Sequence, residues 1–170
     1  IQVTFVSIPS PSITANYTAL CAGQNLALNG TGGNAYSWTG PNGSSGVTQN
    51  LTINNIALAG GGLYTLVVTV GPCTAFTTQS ITVHPLPTPT FTSPIICENH
   101  NLQLNASPGG GVSFVWTGPL NFSSTQQNPV IPLVVIANSG MYNLTVTDIN
   151  MCSASVGNSV TILQNPFIQA

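Results

Sequence analysis

Apolar residues that alternate over short segments, an internal repeat of about 78 residues, and turn residues every ten positions or so predict an all-β protein. The expected fold is two tandem immunoglobulin-like β-sandwich domains with an extra N-terminal β-strand. The expected bounds are 1–9 for a donor-like strand and linker, 10–85 for the first domain and 86–170 for the second.

The repeat is read by sliding the chain against itself. An offset of 76 to 79 residues brings Cys21 onto Cys97, Trp38 onto Trp116, Tyr64 onto Tyr142 and Cys73 onto Cys152. Asn25-Leu26-Ala27-Leu28-Asn29 then matches Asn101-Leu102-Gln103-Leu104-Asn105, and Trp38-Thr39-Gly40-Pro41 matches Trp116-Thr117-Gly118-Pro119. A period of this length is a whole domain and too long for a solenoid unit.

Within each repeat, runs such as Leu102, Leu104, Ala106 or Tyr142, Leu144, Val146 have the period of half-buried strands. In immunoglobulin letters, strand A is expected over 12–20 and 88–96, B over 25–30 and 101–106, and C over 35–39 and 112–117. Strand E is expected over 50–56 and 128–135, F over 63–70 and 141–147, and G over 76–83 and 155–163. Trp38 and Trp116 on strand C read as core residues, since large aromatics are usually buried. Tyr64 and Tyr142 read as tyrosine corners. Pro85, Pro87 and Pro89 hold the intervening chain extended, a stiff hinge that would keep the repeats in line.

Composition narrows the function. The chain is 42% hydrophobic with no Lys or Arg, and Glu98 and Asp148 are its only acids. It has no means of neutralising phosphates, so nucleic acid and anionic membrane surfaces are excluded as partners. A net charge of -2 gives little colloidal repulsion and favours association. The apolar run Val130 to Ala137 contains Pro132 and falls short of the ~20 residues of a membrane helix. Four cysteines at repeat-related positions read as disulfides of an oxidising, extracellular compartment. No signal peptide precedes Ile1, which suits either a mature product or an excerpt of a longer array.

A Cys, a Leu-x-Leu strand, Ser37-Trp38-Thr39-Gly40-Pro41-Asn42-Gly43, and the run from Ser139-Gly140-Met141-Tyr142 to Met151-Cys152 together resemble the tandem Ig-like and PKD-like repeats of Bacteroidota cell-surface adhesins and filament proteins. The resemblance covers nearly the whole chain. It implies a stalk, filament or adhesin at the cell surface and no reaction. The chain departs from antibody domains, whose second cysteine lies two residues after the corner tyrosine; those places hold Leu66 and Leu144.

The cysteine pairing stays open between two schemes. Intradomain bridges would join Cys21 to Cys73 and Cys97 to Cys152. In the expected topology, however, the A-to-B and F-to-G turns lie at opposite ends of a strand of ~23 Å, and a disulfide needs Cα atoms within roughly 7 Å. The favoured scheme joins Cys21 to Cys152 between domains and Cys97 to Cys73 of the next copy, a covalent homopolymer running end to end.

Ile1, Gln2, Val3, Thr4, Phe5 and Val6 precede a Pro-rich stretch as strand G does in each domain, so three G-like strands serve two domains. This orphan strand is either the remnant of a preceding domain or an assembly strand that adds to an exposed edge of a neighbour.

Seven Asn-x-Ser/Thr sequons, at Asn16, Asn29, Asn42, Asn50, Asn105, Asn121 and Asn143, are glycosylation candidates. About four would occur by chance at this Asn and Ser/Thr content.

Catalysis is not expected. Glu98 and Asp148 fall on turns at opposite ends of the second domain, and neither His84 nor His100 has a triad partner in view. Cys97, Glu98 and His100 form an incomplete metal corner, and Asp148-x-Asn150 resembles the start of a calcium loop without the remaining carboxylates. No cofactor or metal is implied. The leading reading is a structural subunit of an extracellular bacterial filament or surface stalk. Its rivals are an adhesin or carbohydrate-binding module using the loops Thr39 to Ser45 and Thr117 to Ser124, and spacer domains of a large secreted enzyme.

Overall fold

The computed structural model describes residues 7–92, 94–107 and 113–165. The chain divides into two compact units, Ile1–Pro85 and Leu86–Ala170, each built on the same plan.

The first unit contains β1 (Ser12–Ala15), β2 (Ala19–Cys21), β3 (Leu26–Thr31), β4 (Ala35–Thr39), β5 (Ser45–Gly46), β6 (Asn50–Ile53), β7 (Gly62–Val70) and β8 (Cys73–His84). They form two sheets, β1-β3-β6 and β2-β8-β7-β4-β5. The single strand expected over 12–20 is in fact two. β1 pairs antiparallel with β3 in one sheet, and β2 runs parallel to β8 in the other. Asn16 makes the switch. Its Oδ1 accepts the N–H groups of Tyr17 (3.0 Å) and Ala27 (2.9 Å), and its Nδ2 donates to Asn25 O (3.1 Å). The side chain thus takes over the pairing with β3 while the backbone crosses to the other sheet, the local competition that Asn side chains are suited to.

The second unit contains β9 (Thr90–Phe91), β10 (Ile95–Cys97), β11 (Leu102–Gln103), β12 (Ala106–Ser107), β13 (Ser113–Gly118), β14 (Phe122–Ser124), β15 (Val130–Ile131), β16 (Gly140–Thr147) and β17 (Ser153–Leu163). Its larger sheet, β10-β17-β16-β13-β14, repeats that of the first unit, including the parallel outer pair. Among the described residues, the facing layer consists of the pairs β9–β12 and β11–β15. The strand expected over 128–135 shrinks to two residues because Pro129 and Pro132 flank it and have no N–H to give to a ladder. The equivalent of Pro129 in the first unit is Leu51, and β6 there runs four residues. The edge strands β5 and β14 were not expected from sequence; only turn residues are legible there.

Each unit has its own core. In the first, Leu26, Leu28, Trp38, Tyr64, Leu66 and Val68 are buried together, and in the second Leu102, Leu104, Trp116, Tyr142, Leu144 and Val146. The alternating pattern of β7 and β16 puts Tyr64, Leu66, Val68 and Tyr142, Leu144, Val146 on the inner face. Each of these leucines and valines contributes about 1.5–3 kcal/mol by leaving water. Phe91 meets Trp116 edge-on at 4.9 Å between centroids, a favoured aromatic geometry.

The shared Trp-Thr-Gly-Pro text has a packing cause. A Cβ on Gly40 would lie 2.5 Å from the Tyr64 ring, and one on Gly118 2.6 Å from the Tyr142 ring. Only glycine lets the chain leave the tryptophan strand across the face of the tyrosine. The tyrosine in turn donates its hydroxyl to a backbone carbonyl four residues upstream, Tyr64 to Gly60 O at 2.8 Å and Tyr142 to Asn138 O at 3.0 Å.

Candidate functional site

The cysteines take two repeat-equivalent places. Cys21 closes β2 and Cys97 closes β10, each beside the end of the last strand of its unit, paired with His84 and Leu163 respectively. Cys73 opens β8, and Cys152 immediately precedes β17. Within the first unit, Cys21 and Cys73 are therefore separated by the 12-residue length of β8, roughly 36 Å at 3.3 Å per residue. Cys97 and Cys152 are separated by the 11 residues of β17, again more than roughly 30 Å. Both intradomain pairings, Cys21 with Cys73 and Cys97 with Cys152, lie far outside disulfide reach. Cys21 and Cys152 are in the disulfide-bonded state. Cys73 and Cys97 carry free thiols, both half-buried.

The turns that hold the late cysteines differ. Val70 faces Cys73 directly, so Gly71 and Pro72 alone connect β7 to β8. In the second unit five residues intervene between Thr147 and Ser153, and Asp148 organises them. Its Oδ1 accepts the N–H of Asn150 (2.9 Å) and of Cys152 (2.9 Å). The Asp148-x-Asn150 text that resembles a calcium loop is thus a turn closed on its own backbone.

Glu98 follows β10. Its N–H donates to Leu163 O (2.8 Å), and its Oε1 accepts the N–H of Asn165 (3.3 Å), which ties down the chain leaving β17. His100 Nδ1 lies 3.1 Å from Glu98 O. Glu98 and Asp148 sit at opposite ends of β17, roughly 33 Å apart, too far for paired carboxylate chemistry. Among the described residues, no three His, Cys, Asp or Glu side chains come together as a metal site. Among the described residues, the Cys97-Glu98-His100 corner gathers no further ligand. His84 ends β8, and its carbonyl accepts the Ala22 N–H at 2.8 Å. Tyr64 and Tyr142 have their phenols pushed above the ordinary value of 10.0 by burial, Tyr64 with a smaller opposing contribution from a hydrogen bond to Ser44.

The sequons divide by location. Asn29-Gly30-Thr31, Asn50-Leu51-Thr52, Asn105-Ala106-Ser107 and Asn143-Leu144-Thr145 follow strand alternation, with the middle residue buried in each. In a chain whose outward residues are mostly Asn, Ser and Thr, a period of two writes this text by itself. Asn29 Nδ2 donates to Asn50 Oδ1 at 2.7 Å, so this pair is engaged across strands, and Asn16 is engaged with backbone as described. Asn42 and Asn121 lie on exposed turns with positive φ of 52° and 57°. The loops Thr39 to Ser45 and Thr117 to Ser124 form the hairpins β4–β5 and β13–β14. The segment Ile1 to Val6 lies outside the described residues. Among the described residues, no helix is long and apolar enough to cross a membrane.

No protein-family profile and no curated protein sequence matches the chain. Its solved structural neighbours include chains of tandem Ig domains. The chain is similar to the N-terminal eight Ig domains of Down Syndrome Cell Adhesion Molecule, with TM-score 0.51, 13% identity, and coverage of 94% of this chain and 25% of that one. It is also similar to three N-terminal domains of the Highly Immunogenic Outer Capsid protein of bacteriophage RB49, with TM-score 0.47, 16% identity, and coverage of 91% and 59%. An I-band fragment from titin gives TM-score 0.46, 15% identity, and coverage of 91% and 66%. At such identities the likeness concerns the fold alone. The chain is a tandem of Ig-like β-sandwich domains.

Proposed function

We propose that the protein is a structural subunit of an extracellular, cell-surface filament or stalk of the Bacteroidota Ig-like/PKD-like kind, joined end to end to copies of itself. One observation carries the reading. The two cysteine places recur in both units, Cys21 and Cys152 are disulfide-bonded, and Cys97 and Cys73, their repeat equivalents, are free thiols. In this reading Cys21 pairs with Cys152 within a chain, and Cys97 of one copy makes the same bond to Cys73 of the next. Each new bond joins two sulfurs with loss of two protons and two electrons to an oxidant of the extracellular space, dioxygen or a small-molecule disulfide acting by exchange. A surface almost without charge offers little repulsion to this association. Addition of the 1–6 strand to a neighbour's exposed edge, such as the four-residue β6, would add backbone hydrogen bonds.

The test is electrophoresis without reductant after air oxidation, with electron microscopy of the same material. The expected result is a ladder of multimers and fibres with a regular axial repeat, both collapsed by dithiothreitol. Cys73→Ser and Cys97→Ser should each end the ladder, and an equal mixture of the two variants should stop at dimers. Peptide mapping that joined Cys21 to Cys73, or a wild-type chain that stayed monomeric under oxidation, would defeat the reading.

A further inference from the structure

The outward face of β1-β3-β6 in the first unit holds a depression of about 330 Å³. Its floor is the methyl of Ala27, the smallest outward side chain in that neighbourhood. Thr52 pairs with Ala27 on one side, and Asn16 flanks it on the other, donating its N–H to Ala27 O at 3.1 Å. One row along, Thr14, Asn29 and Asn50 stand side by side across the three strands. Five hydroxyl or amide side chains therefore ring one methyl group.

The ring is partly preorganised. Asn16 is held by three hydrogen bonds to backbone, and Asn29 Nδ2 donates to Asn50 Oδ1 at 2.7 Å. That bond leaves Asn29 Oδ1 as an acceptor and the Asn50 amide as a donor at the rim, with the Thr14 and Thr52 hydroxyls able to do either. The first unit has no Lys, Arg, Asp or Glu at all, so a charged ligand would find no counter-charge here. A ligand that matches an apolar floor, alternating donors and acceptors at the rim and no charge is a polyol with one hydrophobic face, which describes a pyranose ring. The volume is at the lower end of the range for small-molecule sites.

The second unit supplies an internal contrast. Gln103 replaces Ala27, and its Nε2 donates to Leu104 O and Asn128 O, both at 3.2 Å, laying the side chain across the place of the depression. Asn128, the equivalent of Asn50, turns its Oδ1 to the Ala106 N–H at 3.1 Å. Val130 takes the place of Thr52. The same surface is filled and has lost rim groups.

We propose that the ring around Ala27 is a binding subsite for one ring of a neutral saccharide, present on the first unit and filled in on the second. This does not depend on polymer formation. The experiment is a backbone-amide NMR titration of the full chain carrying Cys73→Ser and Cys97→Ser, which keeps it monomeric without reductant, with methyl α-mannoside, galactose and N-acetylglucosamine, and with glucuronate as the charged counterpart. The expected result is saturable shifts confined to β1, β3 and β6 with at least one neutral sugar at millimolar affinity, and none with glucuronate. Ala27→Gln, which copies the second unit at a solvent-facing position, should weaken binding by more than about tenfold. Thr52→Val, which removes a rim hydroxyl at constant volume, gives a second reading should Ala27→Gln disturb the fold. The proposal is overturned if no neutral sugar gives saturable shifts, if glucuronate binds equally well, or if the substitutions leave the shifts unchanged.

Discussion

The two units share the sheet of β7 or β16 down to residue partners and differ in the opposite layer. In the larger sheets, Trp38 faces Leu66 and Trp116 faces Leu144 in the same register. In the smaller layer, the continuous β1-β3-β6 of the first unit corresponds to two separate two-stranded pairs in the second. A continuous ladder is not needed there: Leu104 N–H still donates to Pro129 O at 3.0 Å and Ala106 N–H to Asn128 Oδ1 at 3.1 Å, and Leu102, Leu104 and Phe91 still belong to the core. The comparison teaches that the buried alternation of side chains is what the fold requires, and that ladder length can be traded for prolines. It also shows where function can vary. Both acids lie in the second unit, where one closes a turn and the other fastens the chain after β17, while the first unit has an open polar ring on its outer face.

The largest effect should come from the shared layer. Leu66→Ala and Leu144→Ala each delete a fully buried side chain opposite a tryptophan and should cost about 2–5 kcal/mol. Urea denaturation followed by tryptophan fluorescence should show the transition of the substituted unit moving alone; coupled loss of both would mean that the units do not unfold independently. Next, Gly40→Ala and Gly118→Ala should each cost about 1–3 kcal/mol by forcing a methyl into the tyrosine ring. Equal costs are expected because the two contacts differ by only 0.1 Å.

Tyr64→Phe and Tyr142→Phe leave a buried carbonyl without its donor and should cost about 1–2 kcal/mol each. They also carry a pH signature. With both phenols raised by burial, the unfolded chain loses its phenolic protons first as the pH climbs past about 10, so the unfolded state binds fewer protons and stability falls. The contribution is complete below pH 10 and is lost as the pH rises through the folded-state values. Chemical denaturation at a series of alkaline pH values should show a shallower decline in the unit bearing Phe. The smallest effect sharpens the difference between the units. Asp148→Ala removes two N–H···O contacts from a turn that has no counterpart in the first unit and should cost about 1 kcal/mol, read as earlier hydrogen exchange at Asn150 and Cys152 only.

Much of this was legible in sequence because it depends on periods and equivalences. Alternation locates both sandwiches, and the repeat by itself aligns Cys21 with Cys97 and Cys73 with Cys152. The strand break at Asn16, the short edges β5 and β14 and the fragmentation around Pro129 were not legible, since each depends on which backbone groups find partners across the chain. The ring around Ala27 was hidden for the same reason. Thr14, Ala27 and Asn50 are far apart in sequence, and only sheet register makes them neighbours.

By itself the sequence determined the β class, the two-unit plan, the buried Trp and Tyr pairs and the near absence of charge, because local alternation and composition act residue by residue. Tertiary structure decided which cysteines lie beyond each other's reach, which polar side chains are spent on backbone and which ring an open depression, because those outcomes depend on the pairing of distant strands.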